Sequence, residues 1–244
     1  MSAAVITVPA FASARDGVRH FFGTRGHADS LALDVGVPAR QSGTQGHGWL
    51  LSVKQVHGTD ALVVDRPITE SDQFPGGWDA LVTNQLGVTV AVRTADCVPV
   101  LVHDPHRHVV AAIHVGWRGA VAGVVSKTLM LMATRFGSTR SDLRVSIGPS
   151  AGPCCYEVDD PVLDQLRMGL PDWESVVRDY QGHKARLDLK AIIRRQMEGE
   201  GVSSSSVSSV NLCTICHDQL FYSYRREGRV NGTMVSGIAL LSCR

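Results

Sequence analysis

Three short runs rich in β-branched residues follow one another along the chain, at residues 88–92, 98–102 and 108–115. Each is too short for an ordinary helix and too apolar for a solvated loop, so together they predict buried strands at the middle of a sheet. Asp104-Pro105 separates the second run from the third, a turn pair that predicts antiparallel pairing between them. Further strands are expected at residues 143–147, 207–212 and 234–241. Beyond Gly119 the period changes: Val121, Val124, Val125, Thr128, Leu129 and Met132 recur near 3.6 residues, which predicts a long helix stopped by Gly137. A second helix is expected over residues 187–197, with Leu189, Ile192, Ile193 and Met197 on one face. The serine-rich stretch 203–209 reads as a loop, and no internal repeat is present.

Apolar residues make up 44% of the 244 positions and charged residues 19%, which fits one globular domain over residues 1–244. The 24 basic and 23 acidic side chains leave a net charge of +1. That supplies no broad positive field for nucleic acid, and aromatics at 6% supply no stacking platform, so small molecules are the expected partners. No segment approaches the ~20 apolar residues of a membrane span. Residues 1–14 end in a small-x-small stretch at Ala12, Ser13 and Ala14. They lack a basic start and are interrupted by Pro9, which argues against a secretory signal. The six cysteines are too sparse for a disulfide scaffold. The clustering of Cys154 with Cys155 and of Cys213 with Cys216 suits reduced thiols or metal ligands, and a cytoplasmic setting is expected.

Three residues stand out as carriers of chemistry. His57 follows the apolar stretch 50–56 and precedes Gly58, whose backbone freedom suits a turn into a cleft. Cys97 lies in the bend between two expected strands, beside Asp96, which either orients a ligand histidine or caps the turn. His114 ends a strand and is followed by Gly116-Trp117-Arg118-Gly119 at the start of the long helix, where free N–H groups and the Arg118 guanidinium would suit an anion such as phosphate. Plainer readings stand beside these: a sheet-edge histidine for His57, a turn cap for Asp96, and for Arg118 and Trp117 a surface ion pair and a core residue. Taken together, two imidazoles and a thiolate form a sound zinc set with a fourth position open for a reactant. Their spacing fits no compact zinc motif.

Lys-Gln-Val-His-Gly at 54–58, Thr-Ala-Asp-Cys-Val-Pro-Val at 94–100, His-Val-Gly-Trp-Arg-Gly at 114–119, Ile-Gly-Pro at 147–149 with Cys-Tyr-Glu-Val at 155–158, and Cys213-Thr214 with Phe-Tyr-Ser-Tyr-Arg-Arg at 221–226 resemble, in that order, the YfiH family. Its members are also called laccase-domain or polyphenol oxidase proteins, purine nucleoside phosphorylases and, in bacteria, peptidoglycan editing factors. The resemblance runs from about His20 to the C-terminus. It implies an α/β fold, a four-layer α/β/β/α sandwich of mixed sheets, and it implies that the catalytic residues His57, Cys97 and His114 hold zinc, with copper as the alternative. The implied reactions are phosphorolysis of purine nucleosides, including methylthioadenosine, and deamination of adenosine. The partners would be purine nucleoside and phosphate, with monomer or homodimer left open.

The chain departs from the family at Thr24-Arg25-Gly26-His27, where a Gly-Gly pair is usual, and in a shortened segment over residues 30–48. Arg25 matches the family arginine and joins Arg118 as an expected phosphate ligand. Deamination would draw on water that zinc acidifies to a pKa of about 7. A rival reading makes Cys97 the nucleophile of an amidase acting on peptidoglycan precursors. A copper polyphenol oxidase fits less well, because one three-ligand site cannot assemble several coppers. A metal-binding partner protein without catalysis is the reading from another class. Cys213-Thr-Ile-Cys216-His217 matches a haem-attachment string, but Cys213-Thr214 belongs to the family pattern. His103, His106 and His108 read as a solvated loop around the Asp-Pro turn.

Overall fold

The computed structural model, which describes residues 5–11, 17–28, 34–43 and 46–241, turns the β-branched runs into the centre of two stacked sheets. The strands are β1 (Val5–Ile6), β2 (Val18–Gly23), β3 (Ala39–Gly43), β4 (Gly46–Ser52), β5 (Ala61–Val64), β6 (Ala80–Thr83), β7 (Val88–Thr94), β8 (Val98–Asp104), β9 (Val109–Val115), β10 (Arg144–Ile147), β11 (Glu157–Asp159), β12 (Val177–Arg178), β13 (Lys184–Leu187), β14 (Val207–Ser209) and β15 (Met234–Leu240). The helices are α1 (Arg25–Ala28), α2 (Trp117–Val121), α3 (Val124–Phe136), α4 (Asp160–Gly169), α5 (Leu189–Gly199) and α6 (Tyr224–Glu227).

One six-stranded sheet runs β1-β2-β15-β7-β4-β3 and the other β14-β10-β8-β9-β6-β5, while β11-β13-β12 form a small third sheet. Both large sheets are mixed: β4 pairs with β7 in parallel, as do β5 with β6 and β10 with β14, and the remaining pairs are antiparallel. The β8–β9 hairpin closes with Asp104 opposite Val109. Asp104 Oδ1 accepts from the backbone N–H groups of His106 and Arg107, 2.9 Å each, the turn chemistry that Asp-Pro foretold.

Strand alternation decides the layers. Val98, Val100, Val102, Ala111, Ile113 and Val115 point to one face and pack with Val125, Leu129, Met132, Leu163, Leu166, Ile192 and Ile193 from α3, α4 and α5. Leu101, Val110 and Ala112 point to the other face and pack against Phe22, Leu51, Val90, Val92 and Ile238 of the opposing sheet. The outer face of that sheet carries Leu50, Ala91, Val235 and Phe21, with α1 lying against β15. The order of layers is therefore α/β/β/α, with a thin outer layer on one side.

The helix expected after Gly119 is two helices. Gly123 sits at φ 79°, a left-handed conformation that an α-helix cannot continue through, so α2 stops after five residues and α3 begins anew. Gly137, also left-handed, ends α3 as expected. Helix α5 begins at Asp188, whose side chain accepts from Ala191 N, and it buries the four residues foreseen for its inner face. Helix α4 was not foreseen: Pro161 at its first turn and only Val162, Leu163 and Leu166 buried make a weak periodic signal. The strand expected over 207–212 ends at Ser209, and a 3-10 turn at Ser204–Ser206 precedes it. His103 is wholly buried in β8 rather than solvated, because alternation turns it into the sandwich. The small-x-small stretch at Ala12, Ser13 and Ala14, and residues 30–33 and 44–45 of the shortened segment, lie outside the described residues. Among those described, no helix is long and apolar enough to cross a membrane.

Candidate active site

Two of the chain's passages from one sheet to the other build the site. The first leads from β4 to β5 and carries His57; the second leads from β7 to β8 and carries Cys97. His114, the penultimate residue of β9, meets both. The ligand-capable atoms of the three side chains all lie within 4.8 Å of one another. His57 Nε2 is 3.9 Å from Cys97 Sγ, close to the roughly 3.5 Å that a sulfur and a nitrogen on one tetrahedral zinc would span. The two imidazoles meet edge to face, with centroids 4.9 Å apart.

The backbone is bent to achieve this. His57 itself, rather than Gly58, takes the left-handed conformation at φ 60°, and Asp96 sits at φ 92°; both are rarely adopted by residues with a side chain and are held by surrounding hydrogen bonds. Gly116 supplies space. A Cβ there would stand 2.8 Å from His57 Cδ2 and 3.2 Å from Cys97 Sγ, so only glycine lets the β9–α2 turn pass beneath the cluster.

Asp79 organises the site. Fully buried just before β6, its carboxylate accepts from His57 N at 2.9 Å, Gly58 N at 2.6 Å and His114 Nδ1 at 2.8 Å. Burial works to raise its pKa, yet the His114 and Gly58 hydrogen bonds outweigh it and hold Asp79 below the usual carboxylate range. With Nδ1 engaged, His114 turns Nε2 towards the thiol. Of the two readings of Asp96, the contact with a histidine ring is made instead by Asp79. Asp96 is taken up by Thr214 Oγ1 at 2.6 Å, Ser223 Oγ at 3.0 Å and Arg225 N at 2.7 Å, which ties the Cys-Thr and Phe-Tyr-Ser-Tyr-Arg-Arg segments to the Cys97 turn. The sequence carries no signal for Asp79 beyond an acid directly ahead of an apolar run.

Burial alone would push the Cys97 thiol up, but the charge of His114 and hydrogen bonds from both imidazoles bring it down to about 6. Burial likewise works to lower His114, but the Cys97 and Asp79 charges push it up to about 9. Without a metal the pair is a thiolate and an imidazolium; a divalent cation can replace the proton.

The cluster forms the floor of a cleft of about 830 Å³, within the usual size of small-molecule sites. Its walls include Phe74, Trp117, Tyr156 and Tyr224 as apolar surface and Lys54, Arg93, Arg118 and Arg225 as cations. Burial, and then the nearby Cys97 and Asp96 charges, push the Tyr156 phenol up to about 12, so it stays protonated at neutral pH. Arg118 lies over the Trp117 ring, 4.3 Å from its centroid, and no carboxylate among the described residues pairs with it. The helix it opens has only five residues, so the helix-end contribution expected there is small. Arg25 does not reach the cleft. It bonds to Glu227 Oε1 at 2.8 Å and lies over the Tyr222 ring, neutralised because α1 packs against the 221–227 segment. Of the cleft cations that the sequence reading did not single out, Arg225 stands within the motif at 221–226 and Lys54 within that at 54–58, whereas Arg93 lacks a distinguishing pattern of its own. Gln55 was missed too: its side-chain amide both donates to Arg93 O and accepts from Arg93 N, fastening the His57 loop to the edge of β7.

A family model described as multi-copper polyphenol oxidoreductase laccase matches residues 37–241. The chain belongs to this family. Within it, the chain is 37% identical over 195 residues to a purine nucleoside phosphorylase, YlmD, of Geobacillus stearothermophilus, covering 76% of this chain and 70% of the relative. It is 31% identical over 260 residues to adenosine deaminase RL5 from an unknown prokaryotic organism, covering 93% and 96%. The crystal structure of YlmD from Geobacillus stearothermophilus superposes with a TM-score of 0.79 at 29% identity, covering 99% of this chain and 98% of that one. The YfiH protein of Bacillus licheniformis does so with the same score at 25% identity, covering 98% and 97%. These laccase-family neighbours share the mixed α/β architecture.

Proposed function

We propose that this chain is a zinc-dependent purine nucleoside phosphorylase, with methylthioadenosine phosphorolysis and adenosine deamination in the same cleft. The reading rests on one observation: a thiol and two imidazoles face a single point on the floor of a largely apolar cleft whose wall carries Arg118. The names of its relatives point the same way. Zinc, when bound, supplies a Lewis acid that polarises a substrate oxygen or acidifies water.

The chain's own residues do the remainder. Arg118 offers its fork of N–H groups to phosphate, with Arg225 as the second cation in place of Arg25. Phe74, Trp117 and Tyr156 enclose the purine and exclude water, which strengthens each charge in the cleft. In phosphorolysis a phosphate oxygen bonds to ribose C1′ while the glycosidic C–N bond breaks; its electron pair leaves with the purine, which takes up a proton. In deamination water adds at the purine C6 and ammonia departs. The donor set suits a single zinc better than several coppers: the other group of potential ligands among the described residues contains four cysteines and no histidine.

Incubating the pure protein with adenosine should yield adenine only when phosphate is present, and inosine with or without it. Arg118→Ala should raise the KM for phosphate about tenfold or more while sparing deamination. Formation of neither product would overturn the proposal. A second reading has an observation of its own, since a lowered Cys97 beside a raised His114 is the ion pair of a thiol hydrolase, with peptidoglycan-precursor amides as its substrate class. Stoichiometric zinc lost on Cys97→Ala supports the phosphorylase, whereas acyl trapping on Cys97 in metal-free protein supports the hydrolase.

A further inference from the structure

Four cysteines that the proposed chemistry does not use converge elsewhere in the fold. Cys154 and Cys155 lie in the turn between β10 and β11; Cys213 and Cys216 lie in the loop after β14. Their sulfurs all fall within 4.8 Å of one another. Cys216 Sγ is 3.5 Å from Cys154 Sγ and 3.2 Å from Cys155 Sγ. Sulfurs at the corners of a tetrahedral zinc with Zn–S near 2.3 Å stand roughly 3.8 Å apart, so a small relaxation accommodates the ion.

We infer that Cys154, Cys155, Cys213 and Cys216 form a second metal site, a tetrathiolate that binds zinc and clasps the 149–157 turn to the 210–217 loop. Cys213-x-x-Cys216 has the spacing of a metal knuckle. Its backbone behaves as one: Gly152 N–H points at Cys213 Sγ at 3.3 Å, and the N–H groups of Ile215 and Cys216 turn to the same sulfur. Such N–H donors hold a thiolate in place for a cation. Gly152 packs directly against the cluster, since a Cβ there would stand 3.3 to 3.6 Å from Cys213 Cβ, Cys154 Sγ and Cys213 Sγ. Guanidinium groups brace the backbone of both segments: Arg186 donates to Cys154 O, and Arg226 Nη1 donates to Thr214 O and Ile215 O. All-thiolate tetrahedral sites select zinc or iron, and a closed set with no position left for substrate serves structure.

The clasp bears on the cleft. Tyr156, next to Cys155, lines it, and Thr214, next to Cys213, holds Asp96 beside Cys97. The test uses the full chain with its first site disabled. His57→Ala/Cys97→Ala protein, purified reduced, should retain about one zinc per chain. After cobalt exchange it should show the intense absorption of tetrahedral all-sulfur coordination. Cys154→Ser/Cys216→Ser, which alters the two exposed members of the cluster, should lose that metal and absorption while keeping the zinc of the first site, and its Tm should fall by about 5 °C or more. Absence of zinc from the first variant, an iron–sulfur spectrum, or a Cys155–Cys216 disulfide in the freshly purified protein would each overturn the inference. Because the first site is read in a separate variant, failure here leaves the phosphorylase proposal standing.

Discussion

A carboxylate that accepts three strong hydrogen bonds from two different stretches of chain governs the site. Asp79→Asn replaces an all-acceptor group by one that must also donate, so His114 loses the partner that orients its ring and, on the proposed reading, aims its Nε2 lone pair at zinc. Zinc affinity, measured by competition with a chelating dye, should fall about 10- to 100-fold; unchanged affinity would assign Asp79 to folding alone. Cys97 offers a second reading at this scale. Its ordinary thiol value is 9.0 and the site brings it to about 6, so in reduced, metal-stripped protein the thiolate predominates above pH 6. Iodoacetamide labelling of Cys97 should rise with pH to half its maximum near 6. His114→Ala removes the main favourable charge and leaves burial, which raises the thiol, so the midpoint should move to the ordinary value or above. These residues differ in how far the sequence announced them. His57, Cys97 and His114 were legible through short motifs around each. Asp79 and Arg93 were not, and Arg225 only as part of a motif, because a carboxylate or guanidinium acquires its role from what folds against it.

Helix α5 shows how an element can carry a titrating group into its packed face. Lys190, only 8% exposed, donates to Val210 O, and burial followed by repulsion from Arg194 pushes its ammonium down from 10.5 to about 8. Below pH 8 the lysine is charged in both folded and unfolded chains, and folding bears a cost of about 3 kcal/mol for a shift of that size. Between pH 8 and 10.5 the folded state sheds its proton first, so the cost is relieved as pH rises. Thermal unfolding of wild type and Lys190→Met across that window should show the stability of wild type gaining on the variant with increasing pH; parallel profiles would contradict the assignment. The inner face of α5 was readable from its period. The split between α2 and α3 was not, since the apolar repeat runs on through Gly123 and only the left-handed backbone there interrupts it.

At the scale of the molecule, two sheets press their apolar faces together and one of them buries its other face beneath three helices. Leu101 lies in the inter-sheet core with no exposed surface, and Leu101→Ala should cost about 2–5 kcal/mol. That should appear as a lower urea midpoint with an unchanged slope, and turnover per folded molecule should stay as it was. Local pattern was enough for the existence of the central strands, their alternation, the β8–β9 hairpin and the choice of His57, Cys97 and His114 as candidates, because strand period, turn chemistry and motif are properties of neighbours in sequence. The stacking of β7 against β9, the crossing of the chain between sheets at His57 and Cys97, the diversion of Arg25 to Glu227 and the meeting of four cysteines from two distant loops belong to the tertiary structure alone. Each depends on which surfaces exclude water together, and that is a relation between segments far apart along the chain.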